Sequence, residues 1–245
     1  MRNIKLWIQY DGTRYSGWQS QEHTGQTIQG KLTAVLERMT GETVELQGSG
    51  RTDAGVHALG QVANFHTKSS LSCEKMLCYM NRYLPEDIAV IQVEEAEPRF
   101  HSRLNAVRKT YVYRIWNSPI PNVWERKYLY LVEEKLDLEV MQRAAELLCG
   151  THDFRAFCSN KRMKKSTVRT LESIEMEKEG SELCLIFTGN GFLYNMVRIL
   201  TGTLIEVGLH KKEPEEMTEI LESQERERAG FTAPAQGLYL KKVEY

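Results

Sequence analysis

IKLWIQYDGTRYSGWQSQEHTGQTIQGKLTAVLERM, residues 4–39, changes its hydrophobic period once. Ile4, Leu6, Ile8 and Tyr10 alternate with Lys5, Trp7 and Gln9, the period-2 pattern of a strand. From Thr27 the spacing becomes helical: Ile28, Leu32, Val35, Leu36 and Met39 fall on one face, with Thr27 placed as the N-cap. Val44-Glu45-Leu46 and Val62 to Phe65 then read as two short strands separated by a Gly-rich run, Gly48 to Gly60, which makes a long hairpin loop. Ser72 caps a second helix with Met76, Leu77, Met80 and Leu84 inward, Pro85 ends it, and Ile88 to Val93 is a further strand. The order is β-α-β-β-α-β.

The rest of the chain repeats that order at low resolution. Val107 to Trp116 reads as a strand; Asp137 caps a helix carrying Leu138, Met141, Ala145 and Leu148, which Gly150 stops. Val168 to Met176 and Leu183 to Phe187 make a strand pair, Phe192 to Val207 an apolar helix, and Leu238 to Val243 a last strand. Glu213 to Ser223 is an additional acidic helix with Pro214 in its first turn. The expected fold is therefore α+β: two ferredoxin-like halves, residues 1–104 and 105–245, forming a continuous mixed, mostly antiparallel sheet with a central cleft.

Composition sets the outer limits. The chain has 245 residues, 41% hydrophobic and 27% charged, enough to bury a sizeable core and too apolar for long disorder. No run approaches the roughly 18 apolar residues of a membrane span, and Met1 to Lys5 opens no signal-type apolar stretch, so a cytoplasmic protein is expected. The five cysteines, Cys73, Cys78, Cys149, Cys158 and Cys184, show neither a CxxC pair nor zinc-finger spacing to His. They read as reduced, mostly buried thiols, and no structural metal is expected.

Lys and Arg number 32 against 33 Asp and Glu, a net charge of −1 that argues against a generic polyanion binder. The distribution reverses that reading. Arg99 to Trp116 carries Arg99, Arg103, Arg108, Lys109 and Arg114 with no carboxylate; Phe154 to Leu171 carries Arg155, Lys161, Arg162, Lys164, Lys165 and Arg169, again with none. Phe100, Tyr111, Tyr113, Trp116 and Phe157 are interleaved, a composition suited to phosphates and exposed bases, although solvated faces account for either stretch alone. Lys161, Arg162, Lys164 and Lys165 are the expected phosphate contacts.

Within the Gly-rich run, Gly48-Ser49-Gly50-Arg51-Thr52-Asp53-Ala54-Gly55 lacks the Lys-Ser/Thr and the immediate helix of a P-loop. Its glycines turn the backbone around one acid, Asp53, flanked by Arg51 and small residues. An accessible, charged, positioned carboxylate meets the requirements for a nucleophile or an acid/base; an Asx-type turn meets them equally.

GSGRTDAGVHALGQVANF, residues 48–65, resembles the central motif of the tRNA pseudouridine synthase A family. Tyr10-Asp11-Gly12 with Gly17-Trp18-Gln19, Phe100-His101-Ser102-Arg103 through Lys109-Thr110-Tyr111-Val112-Tyr113, and Gly150-Thr151-His152-Asp153-Phe154-Arg155-Ala156-Phe157 are similar to further family motifs. So are Gly191-Phe192-Leu193-Tyr194-Asn195-Met196-Val197-Arg198 and Thr232 to Leu240, so the resemblance covers the whole chain. It implies an isomerase that converts uridine to pseudouridine at positions 38, 39 and 40 in the anticodon stem-loop of tRNA. It also implies a homodimer with tRNA crossing both subunits, and no metal or organic cofactor, since the rearrangement is redox-neutral. Asp53 would be the catalytic Asp, either attacking C1′ of the ribose or starting a glycal route by taking a sugar proton.

The resemblance assigns three more residues, each with an ordinary alternative. Tyr111 matches the active-site Tyr, against the commoner fate of a strand Tyr in a core. Arg198, set among Met196, Val197, Ile199 and Leu200, needs a carboxylate; the resemblance makes that Asp53, against an arm reaching solvent and another acid. Arg51 would fill the space left by a flipped base, against a surface charge that holds the loop. His57, His101 and His152 have no assigned catalytic part, because the isomerisation demands no imidazole. Two other classes compete: a non-catalytic RNA-binding module, which would want an RNP1-like aromatic pattern, and an Asp-nucleophile hydrolase, which would want a second carboxylate.

Overall fold

The computed structural model describes residues 1–160 and 163–245. In chain order the elements are β1 (Arg2–Tyr10), α1 (Ile28–Thr40), β2 (Gln47–Gly48), β3 (His57–Thr67), α2 (Cys73–Tyr83) and β4 (Ile88–Ala96). They continue as β5 (Arg108–Asn117), β6 (Tyr130–Val132), α3 (Leu138–Leu148), β7 (Gly150–Asp153), β8 (Val168–Glu179) and β9 (Glu182–Gly189). The last are α4 (Met196–Gly208), α5 (Glu216–Ser223) and β10 (Leu238–Glu244). The chain divides into two units, Met1–Val107 with Tyr239–Tyr245, and Arg108–Leu238. The final residues thus differ from the division expected at 104/105. They join the first unit because β10 lies parallel to β3, Tyr239 opposite His57, while the Tyr245 hydroxyl donates to Ser102 O at 2.8 Å.

In the first unit the sheet runs β4-β1-β3, antiparallel throughout, with β2 antiparallel to β3. This is the β4-β1-β3-β2 order of a ferredoxin-like half. The edge of β3 is shared: β2 covers Ala63 and Asn64, and β10 covers His57 and Ala58. The expected alternation in β1 holds, with Ile4, Leu6 and Ile8 fully buried and Tyr10 5% exposed. Burial of each such aliphatic side chain contributes about 1.5–3 kcal/mol. Above that face α1 buries Ile28, Leu32 and Leu36, and α2 buries Met76 and Met80. Both caps form as expected: Thr27 Oγ1 accepts from Gly30 N at 3.2 Å and Ser72 Oγ from Lys75 N at 3.3 Å.

The second unit pairs β5-β9-β8-β7 antiparallel, with β6 parallel to β5, and packs α3 and α4 together. Asp137 caps α3, accepting from Glu139 N and Val140 N. The strands belong to one ten-stranded sheet, mixed and mostly antiparallel, and the fold is α+β as expected. Among the described residues no helix is long and apolar enough to cross a membrane.

Several local expectations change. Val44-Glu45-Leu46 is not a strand; β2 is the two residues after it, and β3 begins at His57, so the glycine-rich loop ends earlier than its composition suggests. α4 begins at Met196 rather than Phe192, because Asn195 takes a left-handed conformation (φ 61°) that stops helix propagation toward the N-terminus. Only Cys158 of the five free thiols is fully buried, and Cys78 is exposed.

Candidate active site

The loop from Ser49 to Val56 rests on buried polar side chains. Gln61, fully buried on β3, uses every hydrogen-bonding position of its amide: Oε1 accepts from Ser49 Oγ (2.6 Å) and Val62 N (3.1 Å). Nε2 donates to Gly50 O (3.0 Å) and reaches the Tyr10 hydroxyl at 3.5 Å. The Tyr10 and Thr52 hydroxyls share a 2.8 Å hydrogen bond beneath the loop. Burial pushes the Tyr10 phenol up to about 12, so it stays protonated at neutral pH. The backbone is pinned from outside as well: Trp18 N donates to Thr52 O at 3.0 Å and Gly55 N to Tyr15 O at 3.3 Å.

Asp53 is held half-buried between these anchors. Val56 N donates to its carbonyl at 3.1 Å, closing a turn in which Gly55 takes φ 77°, a conformation that costs a side chain strain. Gly48 has a different reason: a Cβ there would stand 2.6 Å from the Trp18 indole, which lies against its backbone. Gly12 is equally constrained, since a Cβ would meet Val56 O at 2.0 Å. His57 is buried against the same segment, with Nδ1 3.0 Å from Gly12 N and 3.1 Å from Asp11 Oδ1, and its ring stacks on Tyr239. That anchors the loop's far end.

Arg51 is exposed and turned to one side, its Nε donating to Gln19 Oε1 at 3.0 Å. It borders a cavity of about 260 Å³ whose lining includes Trp18, Gln29, Gly48, His101 and Arg103 but not Asp53.

The second unit places Tyr111 on β5 at 8% exposure, its ring edge-on to Phe192 with centroids 5.1 Å apart. Arg198, half-buried in the first turn of α4, donates from Nε to Ala233 O (2.7 Å) and from Nη1 to Asn195 Oδ1 (2.9 Å). Tyr113 lies nearby with its hydroxyl donating to Pro234 O at 2.8 Å; burial drives its acidity far down, and the Arg198 charge opposes the shift. The segment through Ala233 reaches Arg198 because Gly202 lets Phe231 approach the helix: a Cβ at 202 would be 1.9 Å from Phe231 O.

The basic stretches divide on inspection. Lys164 and Lys165 are exposed; Lys161 and Arg162 lie outside the described residues. Arg114 is not available to phosphate: it forks onto Glu182 at 2.6 and 3.0 Å and contacts Glu125 at 3.2 Å. Arg108 pairs with Glu172 at 2.7 Å. Of the interleaved aromatics, Tyr113 and Phe157 are fully buried and belong to the core. Sequence reading missed the polar floor of Tyr10, Thr52 and Gln61, because β3 carries several polar residues and Gln61 does not stand out among them. Among the described residues no group of three or more His, Cys, Asp or Glu is arranged to hold a metal ion.

A family model described as tRNA pseudouridine synthase matches residues 6–104 and 144–245. The chain is 50% identical over 245 residues to a tRNA pseudouridine synthase A of Bacillus sp. (strain KSM-64), covering 100% of both chains. It is 49% identical to tRNA pseudouridine synthase A 2 of Clostridium tetani (strain Massachusetts / E88), covering 100% of this chain and 99% of that one. With tRNA pseudouridine synthase A of Acetivibrio thermocellus the identity is 48%, again over 100% of both chains.

Proposed function

The chain belongs to the tRNA pseudouridine synthase family, and from that membership we propose that it acts at positions 38, 39 and 40 of the anticodon stem-loop with Asp53 as its catalytic carboxylate. Its reaction is the isomerisation of uridine to pseudouridine in tRNA. The C1′–N1 bond breaks, the uracil turns, C5 bonds to C1′, and the C5 proton leaves while N1 gains one. Nothing is oxidised, reduced or hydrolysed, so the chemistry calls for no metal or organic cofactor. One carboxylate acting on the ribose suffices, provided the freed base is retained and water excluded.

The observation that carries this reading is the support of Asp53: an acid on a turn anchored at Thr52, Gly55 and Val56, above a fully satisfied buried network. A group held by that many contacts keeps its position as a substrate arrives. Arg198, with Nε and Nη1 fixed by Ala233 and Asn195, is the guanidinium proposed to orient Asp53. The Tyr111 ring packs against the target uracil, and Arg51 takes the place of the extruded base, offsetting a cost of a few kcal/mol. Lys164 and Lys165, with Lys161 and Arg162, contact phosphates of the anticodon arm. The working enzyme is a cytoplasmic homodimer, for which light scattering should report two chains per particle.

The test uses anticodon-arm RNA tritiated at uridine C5, in versions that carry uridine at only one of positions 38, 39 and 40. Tritium release from each, and none from an arm with cytidine at all three, is the expected result. Release that is independent of these positions refutes the site assignment.

A further inference from the structure

We propose that the cavity beside Arg51 is a second base-binding subsite, which receives a nucleobase of the substrate RNA next to the reacting uridine. The proposal rests on the reading that the Asp53 loop faces that uridine, and it names what the adjoining space is for.

Size comes first. An apolar cavity of about 150 Å³ holds a benzene ring, whereas pockets for whole drug-sized ligands begin near 300 Å³. At about 260 Å³ this cavity suits a single heterocycle. Its wall chemistry is that of a nucleotide's complement. Trp18, 2% exposed, and Gly48, which packs against its indole, form part of the lining. Gln47 is the amide of the lining placed to meet a base edge, while Gln19 and Gln29 bond each other and stiffen the wall; two guanidiniums, Arg51 and Arg103, also line the space. Glu45 also lines the space, an acceptor for an exocyclic amino group and an unfavourable neighbour for a bare polyanion. The mixture favours a base with its phosphate outside over a phosphate alone.

The walls are preformed. Gln29 is fixed by its own bonds, Nε2 to Leu46 O at 2.8 Å and Oε1 accepting from Gln19 Nε2 at 2.7 Å and Ser20 N at 2.8 Å. Arg103 stands on a turn closed by His101 and Asn105: His101 Nδ1 accepts from Arg103 N at 3.1 Å, and His101 N donates to Asn105 Oδ1 at 2.8 Å. Ser102, fully buried, staples that turn to β2 and β3 through Gln47 O and Asn64 Oδ1. The Arg103 side chain itself is exposed and has no hydrogen bond among the described residues. A rigid turn that presents an uncommitted guanidinium is a phosphate contact waiting for a ligand.

Position supplies the identity of the base. Two residues of chain span at most about 7 Å, so the Arg51 and Asp53 backbones stand within one or two nucleotide steps of about 3.4 Å along a strand. Arg51 borders the cavity and Asp53 does not. A strand that delivers uridine to Asp53 therefore brings a neighbouring nucleotide to the cavity.

The experiment places 4-thiouridine at one position at a time on either side of a C5-tritiated target uridine in the arm RNA. Each RNA is irradiated with the full-length protein, the crosslinked peptide is mapped, and tritium release is measured on the same RNA without irradiation. One flanking position should crosslink to residues 45–51 or 101–103. Arg103→Ala should lose most of that crosslink and raise KM by about tenfold, the scale of one charge-assisted contact, with kcat and melting temperature unchanged. Arg103→Lys, which keeps the charge without the fork, should fall between. Tritium release with flanking crosslinks elsewhere, or an Arg103→Ala protein with unchanged crosslink and KM, overturns the subsite alone. Absence of release from the arm overturns the reading on which it rests, and the subsite with it.

Discussion

Tyr10 shows what a single hydroxyl does here. Its oxygen links Thr52, immediately before Asp53, to the buried amide of Gln61, itself tied to Gly50. Tyr10→Phe keeps the ring and removes that link. It should cost about 0.5–1.5 kcal/mol of stability, the net value of one buried hydrogen bond, read as a lower denaturation midpoint. The same variant should lower kcat while leaving RNA affinity unchanged, because it loosens a support and removes no contact with RNA. A drop in stability with wild-type kcat would make the network structural only. At this scale the sequence was partly legible. Asp53, Arg51 and Arg198 stand out because a charge among glycines or apolar residues calls for explanation. Gln61 and Tyr10 do not, since a residue on the buried face of a strand reads as core whether or not its polar end has a partner. Arg198 shows the other limit. Its setting signalled a need for partners; Asn195, one turn back at the start of the same helix, is a local one, but that the carbonyl of residue 233 meets its Nε is a matter of tertiary approach.

Elements were legible in proportion to their length. α1, α2 and α3 end within a residue or two of their expected bounds because caps and apolar spacing agree. β2, β6 and β7 have two to four residues each, too few for a period to show, and pairing partners far along the chain create them. The same long-range pairing makes the β5–β9 ladder sensitive to pH. Arg114 on β5 and Glu182 on β9 form a forked pair, and the guanidinium's hydrogen bond holds the Glu182 carboxyl below its ordinary range. A carboxylate whose folded pKa is depressed contributes stability in full above its unfolded value, about 4.3, and loses it as pH falls through the folded value. Melting temperatures of wild type and Glu182→Gln should therefore differ at pH 6 and converge as pH is lowered below about 4. A difference that persists unchanged into acid would show that the pair is not the source.

Charge is where the whole molecule differs most from its sequence. Runs without carboxylates looked like two basic surfaces, yet Arg108 and Arg114 are met by Glu172, Glu182 and Glu125 from other parts of the chain. Local sequence reports which charges are adjacent in the chain, not which ones folding brings opposite. Lys164 and Lys165 remain exposed. If they contact phosphates, Lys164→Ala with Lys165→Ala should flatten the dependence of log affinity on log salt by about 0.7–0.9 per contact. An unchanged slope removes them from the interface. The proposed chemistry turns on Asp53, and Asp53→Asn tests it most directly. The amide keeps the size and an acceptor, so the turn closed by Val56 N should form, but it can neither attack C1′ nor take a proton at neutral pH. In a single-turnover measurement of tritium release from C5-labelled tRNA, with folding confirmed and RNA affinity measured alongside, the variant should bind as wild type does and release nothing detectable. Retention of even a tenth of the wild-type rate would correspond to a barrier change of only about 1.4 kcal/mol, too little for loss of the essential carboxylate, and would contradict the account.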